Sequence, residues 1–338
     1  MTTMVKVAQV AGVSISTVSH VLNGTRHVEP ETRDRVLAAI KQTSYRQDAL
    51  ARAMRRSRTD SIGLIVSDAG EPAFAEMVHG VEHEVAKLGL TLLLANSAEN
   101  ADRERQAVEA LLERRVDGII IARAAASHPE VIEELAQADT PMVLMDRLFD
   151  LPVDQVGVEN REAARELVEH LINQGHRRIA LIAGDTRVST LEERLDGFKD
   201  AMRAANVSLS PDLVIAGEPD LDRVSRRIDS LLDGPDRPTA LIAGSTVLAA
   251  RALAGIQRHA LAIPDDIAFA AFDGFPYSDL FTPQITTVRQ PAFDVGAAAV
   301  NLLSARLAKT GDGPTLLRLK PVIEYRESTS VPPSVMPR

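Results

Sequence analysis

Between Val13 and Asn23 the chain sets out short polar side chains at helical spacing: Ser14, Ser16, Thr17, Ser19, His20 and Asn23, with Ile15 among them. Hydroxyls, an imidazole and an amide on the outward side of a helix can hydrogen-bond base edges and phosphate oxygens. An aliphatic side chain near the start of that helix can meet a thymine methyl. Ser14 is placed as an N-cap, its hydroxyl accepting an amide of the first turn. Val18, Val21 and Leu22 make the inner face. Before them, Val7, Val10 and Ala11 give a short helix an apolar face, and Gly12 supplies the backbone freedom its exit needs. Two short helices joined by so tight a turn read as helix-turn-helix, whose second helix enters the DNA major groove. An amphipathic helical pair packed on another element is the alternative.

The charge is distributed in keeping with that chemistry. Residues 1–60 carry ten Lys/Arg against five Asp/Glu, while the whole chain is at −9, which leaves −14 for the remainder. A basic head on an acidic body fits one part that meets a polyanion and another that does not. Behind the first two helices, Pro30 suits a first helical position between Glu29 and Glu31, and Val36, Leu37 and Ile40 offer an apolar face to close a small core. Residues 47–60 hold a short helical stretch, Ala49 to Met54, that runs into Arg55, Arg56 and Arg58. A helix of that length is marginal alone, so the segment reads as a linker that orders against a partner.

From Ser61 the texture changes to apolar runs alternating with helical patterns. The runs are 62–66, 90–95, 116–122, 142–145, 178–183, 213–216, 239–243 and 267–272. Continuous apolar strands spaced by helices mean parallel sheets covered on both faces. The pattern occurs twice about a break near 155–162, which predicts two similar α/β lobes. Ligands of open parallel sheets bind beyond the carboxyl ends of the strands, so the cleft between lobes is the expected site.

Other chemistries find little support. The 338 residues include no cysteine, which excludes a disulfide framework and a thiolate zinc site. There is no GxGxxG, no GxxxxGK[ST] and no GxSxG motif. His79 and His83 lie four apart on a helical pattern but lack the glutamate of the zinc-protease arrangement, so surface histidines are the simpler reading. No run approaches the 18 apolar residues of a membrane span, and a cytoplasmic protein without cofactor or metal is expected.

The residues together resemble the LacI–GalR family of bacterial transcription regulators. The head matches in Val7-Ala8, Ala11-Gly12-Val13-Ser14, Thr17-Val18-Ser19, Val21-Leu22-Asn23 and Pro30-Glu31-Thr32-Arg33. The body matches in Ile62-Gly63-Leu64-Ile65-Val66, Arg115-Val116-Asp117-Gly118-Ile119, Gly175-His176-Arg177-Arg178-Ile179, Arg194-Leu195-Asp196-Gly197-Phe198 and Thr286-Thr287-Val288-Arg289-Gln290-Pro291. The resemblance implies an all-α helix-turn-helix head (1–46) and a hinge helix (47–60). It also implies an α/β core of two doubly wound parallel-sheet lobes, like a periplasmic binding protein (61–330), with a tail at 331–338. It implies base reading by Ile15, Ser16 and His20, the last standing where arginine is commoner in the family. Thr17, Ser19 and Asn23 are left for phosphates and Arg26 for a base or a phosphate. Met54 falls at the hinge position that wedges into the minor groove, usually leucine, with Arg55 beside it; Gln47 and Asp48 depart from the usual Pro-Asn.

For the cleft the resemblance implies an aromatic platform at Phe74, a carboxylate at Asp273 for ligand hydroxyls or ring nitrogens, and contacts from Arg194, Arg147, Thr190 and Gln290. Ser245 lies in Gly244-Ser245-Thr246, where the family usually has Ala-Asn-Asp, and Ala73 replaces a second aromatic. Val188 stands where purine-responsive members have arginine. Arg123, just after a strand, admits a phosphorylated or acidic ligand. The expectation is therefore a repressor of sugar or related catabolic genes that binds pseudo-palindromic operator DNA as a homodimer. A sugar or sugar derivative is expected to control it. Alternatives are a nucleoside, a phosphorylated or acidic metabolite, or a partner protein as effector; a ligand-binding protein or enzyme without a DNA role is the reading from another class. No leucine heptads close the chain, which favours a dimer over a coiled-coil tetramer.

Overall fold

The computed structural model describes residues 3–24, 26–45, 58–275, 280–310 and 313–330. Its contacts divide between Thr59 and Asp60 into two units.

In the head, α1 (Met4–Ala11) stops at Gly12, whose left-handed backbone (φ 65°) turns the chain. Ser14 then caps α2 (Ile15–Asn23), its Oγ accepting from the Thr17 amide at 3.1 Å. The two helices bend by 103°. α3 (Pro30–Thr43) begins with Pro30 in its first turn, as its fixed φ favours. The core is Val7, Ala8, Ala11, Val18, Val36 and Ala39, with Val21, Leu22 and Ile40 against it. Two expectations are corrected here. Val10 and Leu37 are exposed (40% and 47%), because each lies roughly 110° around its helix from the centre of the packed stripe. The hinge positions Gln47, Asp48, Met54 and Arg55 lie outside the described residues.

The second unit holds two lobes. β1 (Ser61–Val66), β2 (Thr91–Asn96), β3 (Gly118–Ile121), β4 (Met142–Asp146) and β5 (Asp154–Val158) alternate with α4 (Pro72–Lys87), α5 (Ala101–Glu113) and α6 (Glu130–Gln137) in the first. The chain then crosses to the second lobe. There α7 (Asn160–Asn173), β6 (Ile179–Gly184), α8 (Ser189–Ala204), β7 (Val214–Ala216), α9 (Leu221–Asp233) and β8 (Ala240–Ala243) follow in turn, with α10 (Thr246–Arg258), β9 (Ala268–Phe272) and β10 (Thr286–Arg289) after them. It crosses back for α11 (Ala292–Leu307) and β11 (Leu316–Leu319), and a third time for β12 (Val322–Glu324). The sheet orders are β11-β5-β4-β3-β1-β2 and β12-β10-β9-β8-β6-β7, with the same succession of strands in each. Every pairing is parallel except β10 with β12.

Both faces of the inner strands of each sheet are covered, which is why those strands read as unbroken apolar runs, whereas the edge strand β2 keeps Leu94 52% exposed. Ile62, Leu64 and Val66 turn to one face of the first sheet and Ile65 to the other. Each such side chain contributes about 1.5–3 kcal/mol by leaving water. The single break anticipated near 155–162 is the first of three crossovers; the two later ones are too short to mark themselves in hydropathy. α11 returns to pack on α4 so closely that a Cβ at Gly80 would sit 2.0 Å from the Phe293 carbonyl oxygen, and one at Gly296 2.1 Å from that of Met77. Only glycine admits that approach. No single helix among the described residues is long and apolar enough to cross a membrane.

Candidate functional site

On α2 the outward side chains are arranged as anticipated. Ile15 is 47% exposed, Ser16 is exposed, and Thr17, Ser19, His20 and Asn23 are half-buried. Ser14 Oγ stands 2.7 Å from Ser16 Oγ and 2.8 Å from Thr17 Oγ1, so one hydroxyl cluster occupies the first turn. Asn23 Nδ2 donates to the Ser19 carbonyl at 2.7 Å and to Ser19 Oγ at 3.1 Å. Arg26 is exposed beyond the helix.

Within the second unit a cavity of about 420 Å³ opens between the lobes. Carboxyl ends of strands from both sheets supply much of its wall, as the parallel-strand rule requires. Of the cleft residues proposed from sequence, Phe74, Arg147, Thr190, Arg194, Ser245, Asp273 and Gln290 line it. Phe74 is also part of the first-lobe core and only 6% exposed.

Arg194, 2% exposed, organises the second-lobe wall. Its Nε donates to Asn160 Oδ1 at 2.9 Å, and Nη1 donates to the Gly244 carbonyl at 2.6 Å and to Asp273 Oδ2 at 3.2 Å. The guanidinium lies 4.3 Å over the Phe272 ring, in cation–π range. Gln290 Nε2 donates to Asp273 Oδ1, while its Oε1 is buried without a hydrogen-bond partner. Ser245 caps α10, and Thr246 Oγ1 donates to the Gly274 carbonyl at 3.0 Å, so the unusual Gly244-Ser245-Thr246 corner braces the loop that carries Asp273.

Arg147 commits most of its guanidinium donors to protein partners. Its Nη1 donates to the Arg123 carbonyl at 2.6 Å and to Glu99 Oε2 at 3.1 Å, and Nη2 pairs with Glu99 Oε1. Only Nε is left, buried and without a hydrogen-bond partner. Burial pushes the Glu99 carboxyl up, but hydrogen bonds from Arg147 and its charge outweigh that and hold it below the usual carboxylate range. Arg123 is a correction: it does not line the cavity. Its Nε donates to Ser127 Oγ at 3.0 Å, Nη2 to the His128 carbonyl at 3.1 Å, and its guanidinium lies 4.9 Å from the Phe149 ring.

Sequence reasoning missed most of the wall's acidity. Asp68, Glu71, Glu99, Asp146, Asp185 and Glu218 join Asp273 around the cavity, against Arg147, Arg187 and Arg194. Burial, then Asp273 and Asp68, raises Glu71 to about 7. Burial also raises Asp146 to about 6, against the pull of Arg147 and Arg194. Asp146 and Asp273 share a left-handed backbone, φ 71° and 70°, which aspartate tolerates better than most residues and which turns each side chain off its strand end. The available signal was positional: acids within three residues after the strands β1, β2, β6, β7 and β9, and at the end of β4.

Known proteins carry the same plan. The family model described as bacterial regulatory proteins, lacI family, matches residues 3–48. A second, described as periplasmic binding proteins and sugar binding domain of LacI family, matches residues 59–327. The chain is 33% identical over 329 residues to the HTH-type transcriptional repressor PurR of Aliivibrio salmonicida, covering 97% of this chain and 99% of that protein. Among solved structures it is 30% identical to the transcriptional regulator CelR in complex with cellobiose, with TM-score 0.73 over 97% of this chain and 100% of that one. The lac repressor dimer bound to operator and the anti-inducer ONPF superposes with TM-score 0.86 over 97% of this chain and 99% of that one, at 24% identity, a likeness of fold.

Proposed function

The chain belongs to the LacI family of bacterial regulatory proteins, and from that membership we propose a repressor of sugar or related catabolic genes whose operator affinity is set by a polyhydroxylated ligand in the inter-lobe cleft. It is a DNA-binding transcriptional regulator with an effector-binding domain, not an enzyme. The observation that carries the finer reading is the cleft itself. Two parallel sheets turn their carboxyl ends on one cavity of about 420 Å³, with Asp146 and Asp273 on left-handed strand exits of opposite lobes. Paired acceptors beside an aromatic edge and buried donors suit hydroxyl groups. Seven carboxylates against three guanidinium groups disfavour the phosphorylated or acidic effector that Arg123 had suggested.

In this reading residues 1–46 read DNA, 47–60 form the hinge, and 61–330 hold the effector and the dimer contacts of a cytoplasmic homodimer. Ile15, Ser16 and His20 meet base edges in each half-site of a pseudo-palindromic operator. Thr17, Ser19, Asn23 and Arg26 hold phosphates, and Met54 and Arg55 enter the minor groove at the dyad. Ligand closes the lobes of each protomer and shifts the population that fits the half-site spacing.

The test is binding to a fragment selected from random duplex DNA, followed by fluorescence anisotropy. Phosphate neutralisation predicts a steep loss with salt, about 0.9 in log K per log salt for each phosphate. Ser16→Ala is expected to reorder the preferred sequences, and removal of residues 1–60 to abolish binding. Binding that survives that removal would contradict the assignment.

A further inference from the structure

The acids of the cleft are paired by the symmetry of the fold. Since the two sheets share one succession of strands, β1 corresponds to β6, β2 to β7 and β4 to β9. After the first pair come Asp68 and Asp185, after the second Glu99 and Glu218, and at the third Asp146 and Asp273. Glu71 has no such counterpart. It stands at the N-cap of α4, yet its side chain does not cap that helix. It lines the inter-lobe cavity instead, where the charges of Asp273 and Arg194 reach it from the second lobe.

The three arginines of the wall are already committed. Arg147 pairs with Glu99, Arg187 with Asp185 at 2.7 Å, and Arg194 with Asp273 at 3.2 Å. Four carboxylates remain. Asp68 accepts only from the Gly70 amide and Glu218 only from the Asp220 amide among the described residues. Asp146 is 8% exposed, and among the described residues its carboxylate accepts no hydrogen bond and pairs with Arg147 Nε at 3.8 Å. Glu71 lines the same cavity as Asp68 and Asp273, whose charges both reach it. A carboxylate so enclosed is costly until a proton or a cation reaches it. Arg147 Nε and Gln290 Oε1 are a buried donor and a buried acceptor with no hydrogen-bond partner among the described residues.

We propose that the effector is a polyhydroxylated molecule carrying a protonated nitrogen, in class an amino or imino sugar, and that Glu71 selects the nitrogen with Asp146 and Asp273 as the flanking acceptors. This rests on the cleft being the effector site. A neutral sugar leaves in place the excess of acids over guanidinium groups around the cavity. A sugar phosphate or uronic acid adds charge of the same sign. An ammonium group supplies donors to Glu71 and offsets one of the four excess negative charges, through charge-assisted hydrogen bonds stronger than neutral ones.

Matched pairs test this on the intact protein by titration calorimetry: glucose with glucosamine, galactose with galactosamine, mannose with mannosamine, and 1-deoxynojirimycin, with glucose 6-phosphate and glucuronate as acidic probes. The proposal predicts at least one amino or imino compound binding about tenfold or more tighter than its neutral counterpart, the difference between a charged and a neutral hydrogen bond. Glu71→Gln is expected to shrink that preference to about twofold or less. A neutral or acidic probe preferred, no response to any nitrogen-bearing probe, or a preference unchanged in Glu71→Gln would each overturn it. Operator anisotropy on the same samples separates the two levels. If neutral sugars bind and alter operator affinity while amines do not, the nitrogen assignment alone fails; if a bound probe never alters operator affinity, the effector-site reading beneath it fails.

Discussion

Asn160 Oδ1 accepts a hydrogen bond from Arg194 Nε at 2.9 Å, joining the first crossover between the lobes to the guanidinium at the floor of the cleft. The contact continues on both sides. Asn160 Nδ2 donates to Glu193 Oε2 at 3.2 Å, and Glu193 pairs with Arg318 at 2.8 Å, on the strand that leads into the third crossover. Arg194 meets Asp273, which accepts from Gln290 on the second crossover. All three crossing segments are thereby tied to one buried charge, and a ligand that engages Asp273 competes with the groups that tie the crossovers together.

Replacing Asn160 with leucine tests this link. It removes the acceptor of a buried guanidinium N–H, which costs about 1–3 kcal/mol when left unsatisfied. Urea unfolding is expected to show that loss, and the operator response to any effector to weaken. A variant with full stability and an intact response would show that the Asn160 contact carries neither.

Arg194→Met is expected to cost about 3–5 kcal/mol, because Asp273 loses its cationic partner in a site largely closed to water. Adding Asp273→Asn to it removes the stranded charge. The double variant should then be more stable than Arg194→Met alone, a coupling that a double-mutant cycle in urea reads directly. Additive losses would mean that the pair does not interact in solution.

The α4–α11 crossing makes a packing prediction. Gly296→Ala places a methyl about 2 Å from the Met77 carbonyl oxygen, so the helices must separate. Overpacking of this kind costs about 1–3 kcal/mol or more. A lowered melting temperature is expected; Gly89→Ala, with nothing within 4 Å but a φ of 67°, makes a control limited to backbone strain.

Stability also depends on pH through the cleft. Glu71 and Asp146 are raised from ordinary values of 4.5 and 3.8 to about 7 and about 6, so the folded protein holds their protons more tightly than the unfolded chain. Their favourable contribution is complete below the ordinary values and is lost progressively as pH rises from there to the folded values of about 6 and about 7. In the ligand-free protein this component of the urea midpoint falls over that window, and Glu71→Gln with Asp146→Asn flattens it. A wild-type profile matched by the double variant would refute the burial of these acids.

Much of this was legible in the sequence, and the misses have physical causes. Gly12, Ser14 and Pro30 announced the helix ends because caps act locally. The strand–helix alternation announced the lobes because sheets covered on both faces need unbroken apolar runs. Val10 and Leu37 were placed inside on hydrophobicity, while their angular position puts them outside. Arg123 followed a strand into the expected region, yet Phe149, Ser127 and His128, distant or polar in sequence, gave its charge a better site. Glu71 reads locally as an acidic helix start; only the second lobe reveals where its carboxylate goes.

The most direct test of the central claim is operator affinity with and without the ligand that calorimetry identifies, in wild type and in Asp273→Asn. Effector control through the cleft predicts a change of tenfold or more in wild type, about 1.4 kcal/mol of coupling, and little or none in the variant. A ligand that binds the cleft tightly and leaves operator affinity unchanged would contradict the account.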